Sequence, residues 1–146
     1  MKRLEAAIRI LVVEDHPDLA RRLAEGLQSA GFTVANAADG QTGYQLGRSE
    51  DFDAVVLDLG LPDMKGAEVL RRWRQAGRTM PVLILTAHGS WTEKVESLNA
   101  GADDYVTKPS HIQEIAARLF ALIRRSVRKP APKAAKGSIE LAQVGR

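Results

Sequence analysis

Apolar residues along the chain gather into five short runs of strand length, each followed by a stretch where they recur every three or four positions. The runs are Ile8 to Val13, Phe32 to Ala35, Ala54 to Leu57, Pro81 to Leu85 and Asp104 to Thr107. The third and fourth are almost unbroken, the mark of strands buried on both faces of a sheet covered by helices. The intervening stretches predict helices. Pro17 suits a first helical position, Leu19, Leu23 and Leu27 follow at steps of four, and Gly31 stops the segment. Asp39 to Ser49 reads as a helix weakened by Gly40, Gly43 and Gly47, each costing about 1 kcal/mol against Ala if interior. A third helix runs from Met64 with Ala67, Leu70 and Trp73 on one face. A fourth spans Trp91 to Ala100 and is stopped by Gly101. The fifth runs from His111 to Ser126, turning Ile112, Ile115, Leu119 and Leu122 inward. Strict strand–helix alternation predicts an α/β, doubly wound fold with a five-stranded parallel sheet. Right-handed crossovers point to the flavodoxin-like strand order 2-1-3-4-5.

Composition refines this picture in one place. The formal net charge is +3, which invites a nucleic-acid reading, but the charge is unevenly spread. Residues 124–146 hold seven Lys/Arg and one acid, whereas residues 1–123 hold fourteen basic and seventeen acidic residues. The globular part is therefore acidic and the tail basic, as in a linker or arm rather than a basic binding face. Residues 128–137 have linker composition. Ser138 to Val144 alternates polar and apolar like a first strand of something else. We divide the chain into a domain over 1–127 and, over 128–146, a basic linker with the start of a truncated effector domain. There is no cysteine, which removes disulfides and thiolate chemistry. Neither a transmembrane-length apolar run nor a signal peptide is visible, so the expectation is a cytoplasmic protein without a membrane partner.

The chemistry lies where the strands end. Glu14 and Asp15 follow the first strand, Asp58 the third, Thr86 the fourth and Lys108 the fifth. A parallel sheet brings these ends to one edge, although they span nearly a hundred positions. Two like charges at 4 Å repel by about 1 kcal/mol in water and about 4 kcal/mol at an effective dielectric of 20. Lys108 alone leaves a negative surplus, which suits a hard divalent cation such as Mg²⁺ bound by few carboxylates and waters. A carboxylate beside Mg²⁺, a lysine and a hydroxyl can form an aspartyl phosphate. Asp58 would be the nucleophile, the metal and Lys108 would neutralise phosphoryl oxygens, and Thr86 would hydrogen-bond one of them. Taken singly, an Asp pair after a strand is turn chemistry and a Lys-Pro is a loop. The five together carry the reading.

These residues sit in motifs that resemble the receiver domain of a bacterial two-component response regulator over residues 8–126. The motifs are Val-Val-Glu-Asp at 12–15, Val-Leu-Asp-Leu-Gly-Leu-Pro-Asp at 56–63, Leu-Thr-Ala at 85–87 and Gly-Ala-Asp-Asp-Tyr-Val-Thr-Lys-Pro at 101–109. The last resembles the OmpR/PhoB type, and Ser90 to Glu96 its PhoP-like branch. The resemblance implies a CheY-like (βα)5 fold and a signalling switch rather than an enzyme. Asp58 would accept a phosphoryl group from a sensor histidine kinase. It implies Mg²⁺ held by Asp15 and Asp58, by the Gly60 carbonyl, and by Glu14 through water. It further implies Thr86 and Tyr105 as a switch pair and a cis Lys108–Pro109 bond. Phosphorylation would favour a homodimer pairing Lys94 with Glu114, Asp104 with Arg118 and Asp103 with Arg125, around Val95, Leu98 and Ala117. On the last helix Glu114, Arg118, Ala121 and Arg125 share a face that the core does not use. DNA would be reached only through the effector domain.

Two positions depart from the family pattern. Ser110 stands where Phe usually follows Lys-Pro. Gly60 replaces a larger residue beside the phosphoacceptor, which would admit water more freely to an acyl phosphate. A phosphate-independent interaction domain of this fold usually lacks an acid or the lysine, and none is missing. An aspartyl-phosphate phosphatase of the haloacid-dehalogenase kind needs a second acid where Gly60 stands. A flavodoxin-like cofactor site is opposed by the lack of a glycine- or hydroxyl-rich loop after the first strand.

Overall fold

The computed structural model describes residues 7–87 and 89–128. The elements are β1 (Ile8–Val13), α1 (Pro17–Ser29), β2 (Phe32–Ala37), α2 (Gly40–Ser49), β3 (Ala54–Asp58), α3 (Gly66–Gln75), β4 (Val82–Thr86), α4 (Trp91–Asn99), β5 (Asp104–Thr107) and α5 (Ile112–Arg128). All strand pairs are parallel and the order is β2-β1-β3-β4-β5, as the alternation predicts. The proposed linker beyond Arg128 and the strand-like stretch after Ser138 lie outside the described residues.

Alternation along the central strands builds two cores. Ile10, Val12, Ala54, Val56, Leu83 and Leu85 meet Leu23 and Leu27 of α1 and Ile115, Leu119 and Leu122 of α5. Leu11, Val13, Val55, Leu57, Val82 and Ile84 face Val69, Leu70 and Trp73 of α3. Two-sided burial explains why no polar residue interrupts β3 before Asp58.

Differences from the sequence reading have local causes. β2 extends two residues past Ala35, because Asn36 and Ala37 continue the backbone ladder with Val12 and Val13. α3 begins at Gly66 rather than Met64, and α5 begins one residue after His111. The α2 glycines are close-approach positions. A Cβ at Gly43 would come within 2.9 Å of the Val13 methyls, and one at Gly47 within 2.5 Å of the Trp73 indole. Their helix-propensity cost is offset by packing that no other residue permits. Ser97 is the only buried residue of α4, and Trp91, Val95 and Leu98 are exposed. No helix of the described residues is long and apolar enough to cross a membrane.

Candidate functional site

The ladder runs one residue beyond three of the strands and so fixes the loops that carry the chemistry. Glu14 N–H donates to the Ala37 carbonyl (3.0 Å), Leu59 N–H to Leu85 (3.1 Å) and Lys108 N–H to Thr86 (2.8 Å). Close approach of the next helix closes the same edge, since a Cβ on Gly66 would lie 2.7 Å from the Asp58 carbonyl oxygen. Lys108–Pro109 is cis, as the resemblance implies, and Ser110 is half-buried before α5.

At this edge Glu14, Asp58 and Thr86 are only 2–3% exposed. Lys108 Nζ lies 3.0 Å from Asp58 Oδ1 and 3.5 Å from Glu14 Oε1. The Gly60 N–H also points to Asp58 Oδ1, at 3.3 Å. Burial first raises the Glu14 carboxyl above its ordinary value; the Asp58 charge adds to this, while the His16 N–H and Lys108 oppose it. Burial works to lower the Lys108 ammonium as well. There it is outweighed by the hydrogen bond and charge of Asp58 and by Glu14, and the net shift is upward. Lys108 is thus a fixed cation. The Thr86 hydroxyl makes only a 3.4 Å contact with the Ala87 carbonyl and is uncommitted.

Two oxygens in this pocket lack hydrogen-bond partners among the described residues, Glu14 Oε1 and Asp15 Oδ1. Lys108 offsets the charge on Glu14 Oε1 from 3.5 Å, and both oxygens retain acceptor capacity for a ligand. An oxygen-rich pocket with one lysine fits a hard divalent cation, and Glu14 and Asp15 supply its first oxygens. Gly60 is exposed, and a Cβ built there would meet nothing within 4 Å, so the side of Asp58 is open.

The remaining predicted residues lie along α4, β5 and α5. Tyr105 is 37% exposed, with Lys94 Nζ 4.2 Å above its ring and 5.1 Å from the Trp91 ring. A cavity of about 270 Å³ lined by Thr86, Ala87, Ser90, Trp91, Lys94 and Thr107 lies beside it. Within the single chain Arg118 holds both Asp104 (3.0 Å) and Glu114 (3.1 Å). These contacts, led by the Asp104 hydrogen bond, raise the Arg118 pKa further. Asp103 is held by Arg74 at 3.2 Å and accepts the Val82 N–H at 2.8 Å. Val95, Leu98, Ala117 and Arg125 are exposed, and Ala117 lines a groove towards α1.

Sequence reasoning missed three contributors. Asp63 reads as a turn residue, yet its carboxylate accepts Gly40 N–H (2.7 Å) and Gln41 N–H (2.9 Å) at the start of α2. Arg74 has no motif to announce it. His16 follows the acidic pair and its ring stands near both carboxylates.

Comparison with known proteins agrees with this geometry. The response regulator receiver domain profile matches residues 10–120. The transcriptional regulatory protein PhoP of Escherichia coli is 47% identical over 119 residues, covering 82% of this chain and 53% of that protein. The chain thus spans about half the length of the curated relatives it matches. A CheY-like receiver domain from Methanospirillum hungatei superposes with a TM-score of 0.80 at 28% identity, covering 84% of this chain and 98% of that one. The receiver domain of a Pseudomonas aeruginosa sensor histidine kinase, which carries a magnesium ion in its active site cleft, is 31% identical. It superposes with a TM-score of 0.75 and covers 82% and 99% of the two chains. With the strand order, the acid pocket and its lysine all in place, the chain belongs to the response regulator receiver domain family.

Proposed function

We propose that the chain is a phosphorylation-driven switch, with Asp58 as the phosphoacceptor and the phosphohistidine of a sensor kinase as donor. The observation that carries this is the buried Asp58 carboxylate, held 3.0 Å from Lys108 beside two acidic oxygens that accept no hydrogen bond among the described residues. An Asp58 oxygen bonds to phosphorus as the phosphorus–nitrogen bond breaks, and the imidazole leaves with the electron pair. Lys108 stays protonated throughout and neutralises a phosphoryl oxygen. Asp15 and Asp58, the Gly60 carbonyl and, through water, Glu14 would hold Mg²⁺, which when bound supplies further positive charge against the phosphoryl group. The domain catalyses only its own phosphorylation and dephosphorylation, in the cytoplasm.

The output follows from Thr86 and Tyr105. A phosphoryl group on Asp58 gives the Thr86 hydroxyl an acceptor, and the cavity beside Thr86 then admits the Tyr105 ring. This biases the α4–β5–α5 surface towards a two-fold dimer around Val95, Leu98 and Ala117. Arg118 would trade its own Asp104 for the partner's, Lys94 would leave the rings for Glu114, and Asp103 would meet Arg125. Exposed pairs are worth about 0–1 kcal/mol each, but two-fold symmetry makes each of them twice. As in the PhoP relatives, the natural output would be transcriptional, through a DNA-binding domain.

Intact mass after incubation with acetyl phosphate and Mg²⁺ tests the proposal. One phosphate should add to the wild type and none to Asp58→Ala. Persistence of the shift in that variant would move the nucleophile elsewhere. A beryllofluoride complex should raise the dimer fraction in sedimentation, and Arg118→Ala should reduce that gain without blocking the mass shift.

A further inference from the structure

Lys94 on α4 is placed unlike the helical cations around it. On the helices Arg21 pairs with Asp18, Arg71 and Arg72 with Glu68, and Arg118 with Glu114, each about one turn back. Three and four positions from Lys94 stand Ser90, Trp91, Ser97 and Leu98, none of them acidic. Asp104 and Glu114, on β5 and α5, are both held by Arg118. Lys94 therefore makes no ion pair among the described residues. Its ammonium goes to aromatic rings instead, 4.2 Å from the Tyr105 centroid and 5.1 Å from that of Trp91.

The position of this contact matters more than its chemistry. The cavity beside Thr86 is lined by Trp91 and Lys94 but not by Tyr105, whose ring lies outside and is partly exposed. A side chain that lines the cavity and also covers the ring stands between the two. The Tyr105 ring can enter only after the Lys94 ammonium has moved. Trp91, one turn back on α4, offers that ammonium a second ring to rest against, so the displacement is resisted on both sides.

A cation over an exposed ring is worth about two- to fivefold in an equilibrium constant. Where the binding-competent conformer is a minor one, the apparent affinity for an activating ligand falls by the same factor. We infer that Lys94 is an autoinhibitory latch, bridging Trp91 and Tyr105 and holding the Tyr105 ring outside the cavity until Asp58 is phosphorylated. The inference rests on the Thr86–Tyr105 switch proposed above and adds to it a restraint on the resting state. An ordinary surface cation would act with the opposite sign, since its charge attracts an anion bound at Asp58.

The test is titration of the full chain with beryllofluoride in the presence of Mg²⁺. The protein is diluted until sedimentation shows a monomer, so that pairing of Lys94 with Glu114 between copies does not enter. Fluorine NMR follows the bound beryllofluoride and a 3-fluorotyrosine label, with Tyr44→Phe leaving Tyr105 as the one labelled ring. Lys94→Met should lower the half-saturating beryllofluoride concentration by about two- to fivefold. Lys94→Arg should stay within about twofold of wild type, because a guanidinium also stacks on aromatic faces. In a Tyr105→Leu background Lys94→Met should change nothing. Without beryllofluoride, the Lys94 ε-methylene protons should lie upfield of those of other lysines, shifted by the ring currents, and Tyr105→Leu should move them back. An unchanged or higher half-saturation in Lys94→Met, the same decrease without the Tyr105 ring, or unshifted Lys94 protons in wild type would each overturn the latch. Failure of the parent reading looks different. Beryllofluoride then leaves the wild-type Tyr105 resonance where it was, and the latch falls with the switch.

Discussion

The two edges of the sheet treat their charged groups in opposite ways. At the amino edge three arginines tie the loops down. Arg9 donates to Glu50 Oε1 and the Asp51 carbonyl and lies 4.6 Å over the Phe52 ring. Arg78 reaches the Gly47 and Glu50 carbonyls and the Asp51 carboxylate. Arg74 reaches the carbonyls of Arg78, Met80 and Gly101 and the Asp103 carboxylate. At the carboxyl edge a single lysine faces Asp58 and, more loosely, Glu14, the Glu14 Oε1 and Asp15 Oδ1 oxygens accept no hydrogen bond among the described residues, and the Thr86 hydroxyl is barely engaged. One edge is satisfied and the other waits for ligands. Unsatisfied buried polar atoms are costly, and among the described residues the side-chain oxygens of this kind fall at this one edge.

The contrast makes its largest prediction at the satisfied edge. Arg74→Ala strips four acceptors of a half-buried guanidinium and leaves Asp103 with only a backbone donor. Losing three hydrogen bonds to carbonyls, at about 1 kcal/mol each, should cost about 3 kcal/mol in urea unfolding, with little change in m-value, and the pair with the exposed Asp103 adds little. Arg74→Lys should recover little, because an ammonium cannot span the same fork of carbonyls. Phosphate uptake at Asp58 should survive in the folded fraction. If Arg74→Ala is neutral, the amino edge is not the stabilising one.

The unsatisfied edge predicts the reverse sign. The Glu14 carboxyl has a folded pKa above its unfolded one, so the unfolded chain releases this proton first as pH rises. Stability is therefore lost as pH climbs through the window between the ordinary and the raised value. Glu14→Gln removes that loss and should stabilise the metal-free chain at neutral pH, by on the order of 1 kcal/mol. The gain should fade below the ordinary glutamate range, where both carboxyls are protonated. Saturating Mg²⁺ should favour wild type instead, since an ion at about 100 times its Kd adds about 2.7 kcal/mol. Thermal melts with chelator and with Mg²⁺ read both signs. A loss of stability in Glu14→Gln without metal would mean that Glu14 is already satisfied.

The unsatisfied edge is also the one that the sequence exposes. Parallel strands gather their ends by topology alone, so Glu14, Asp15, Asp58, Thr86 and Lys108 could be placed together from the spacing of apolar runs. The satisfied edge was not legible. Arg74 finds its acceptors in the turn after α3, in the lead to β4 and in the loop before β5, and no sequence period connects these. The residues proposed for the dimer surface could be read as sharing a helix face, but not as members of a network within the chain. That Asp103 is already held by Arg74, and Arg118 by Asp104 and Glu114, depends on loop geometry. The helix read over Asp39 to Ser49 is present, and propensity underrates it only because it prices Gly43 and Gly47 without seeing Val13 and Trp73. The apolar pattern of β2 stops at Ala35 while its ladder continues, since an edge strand needs only backbone to pair.

Between the two edges stands Asp63, and it supports the smallest prediction. It follows the β3 end, so it belongs to the carboxyl edge, yet it is satisfied. Its two oxygens accept the first N–H groups of α2, and these bonds, led by Gly40, hold its carboxyl below the ordinary aspartate value. A depressed folded pKa contributes stability that is present above the unfolded value and is lost as pH falls towards the folded one. Asp63→Asn keeps an amide oxygen for one N–H and removes the charge, so it isolates the attraction to the helix terminus. That attraction is worth about 0.3–1 kcal/mol at low ionic strength, and the lower end applies here because Asp63 is exposed. Wild type should therefore exceed Asp63→Asn by a few tenths of a kcal/mol at neutral pH and low salt. The difference should shrink in about 1 M salt, where the screening length is about 3 Å. It should also vanish as pH drops through the window below the ordinary aspartate range. Urea unfolding of both proteins at two pH values and two salt concentrations measures it. A difference that persists in acid would assign the effect to the hydrogen bonds alone, and Asp63 would then act as a neutral cap.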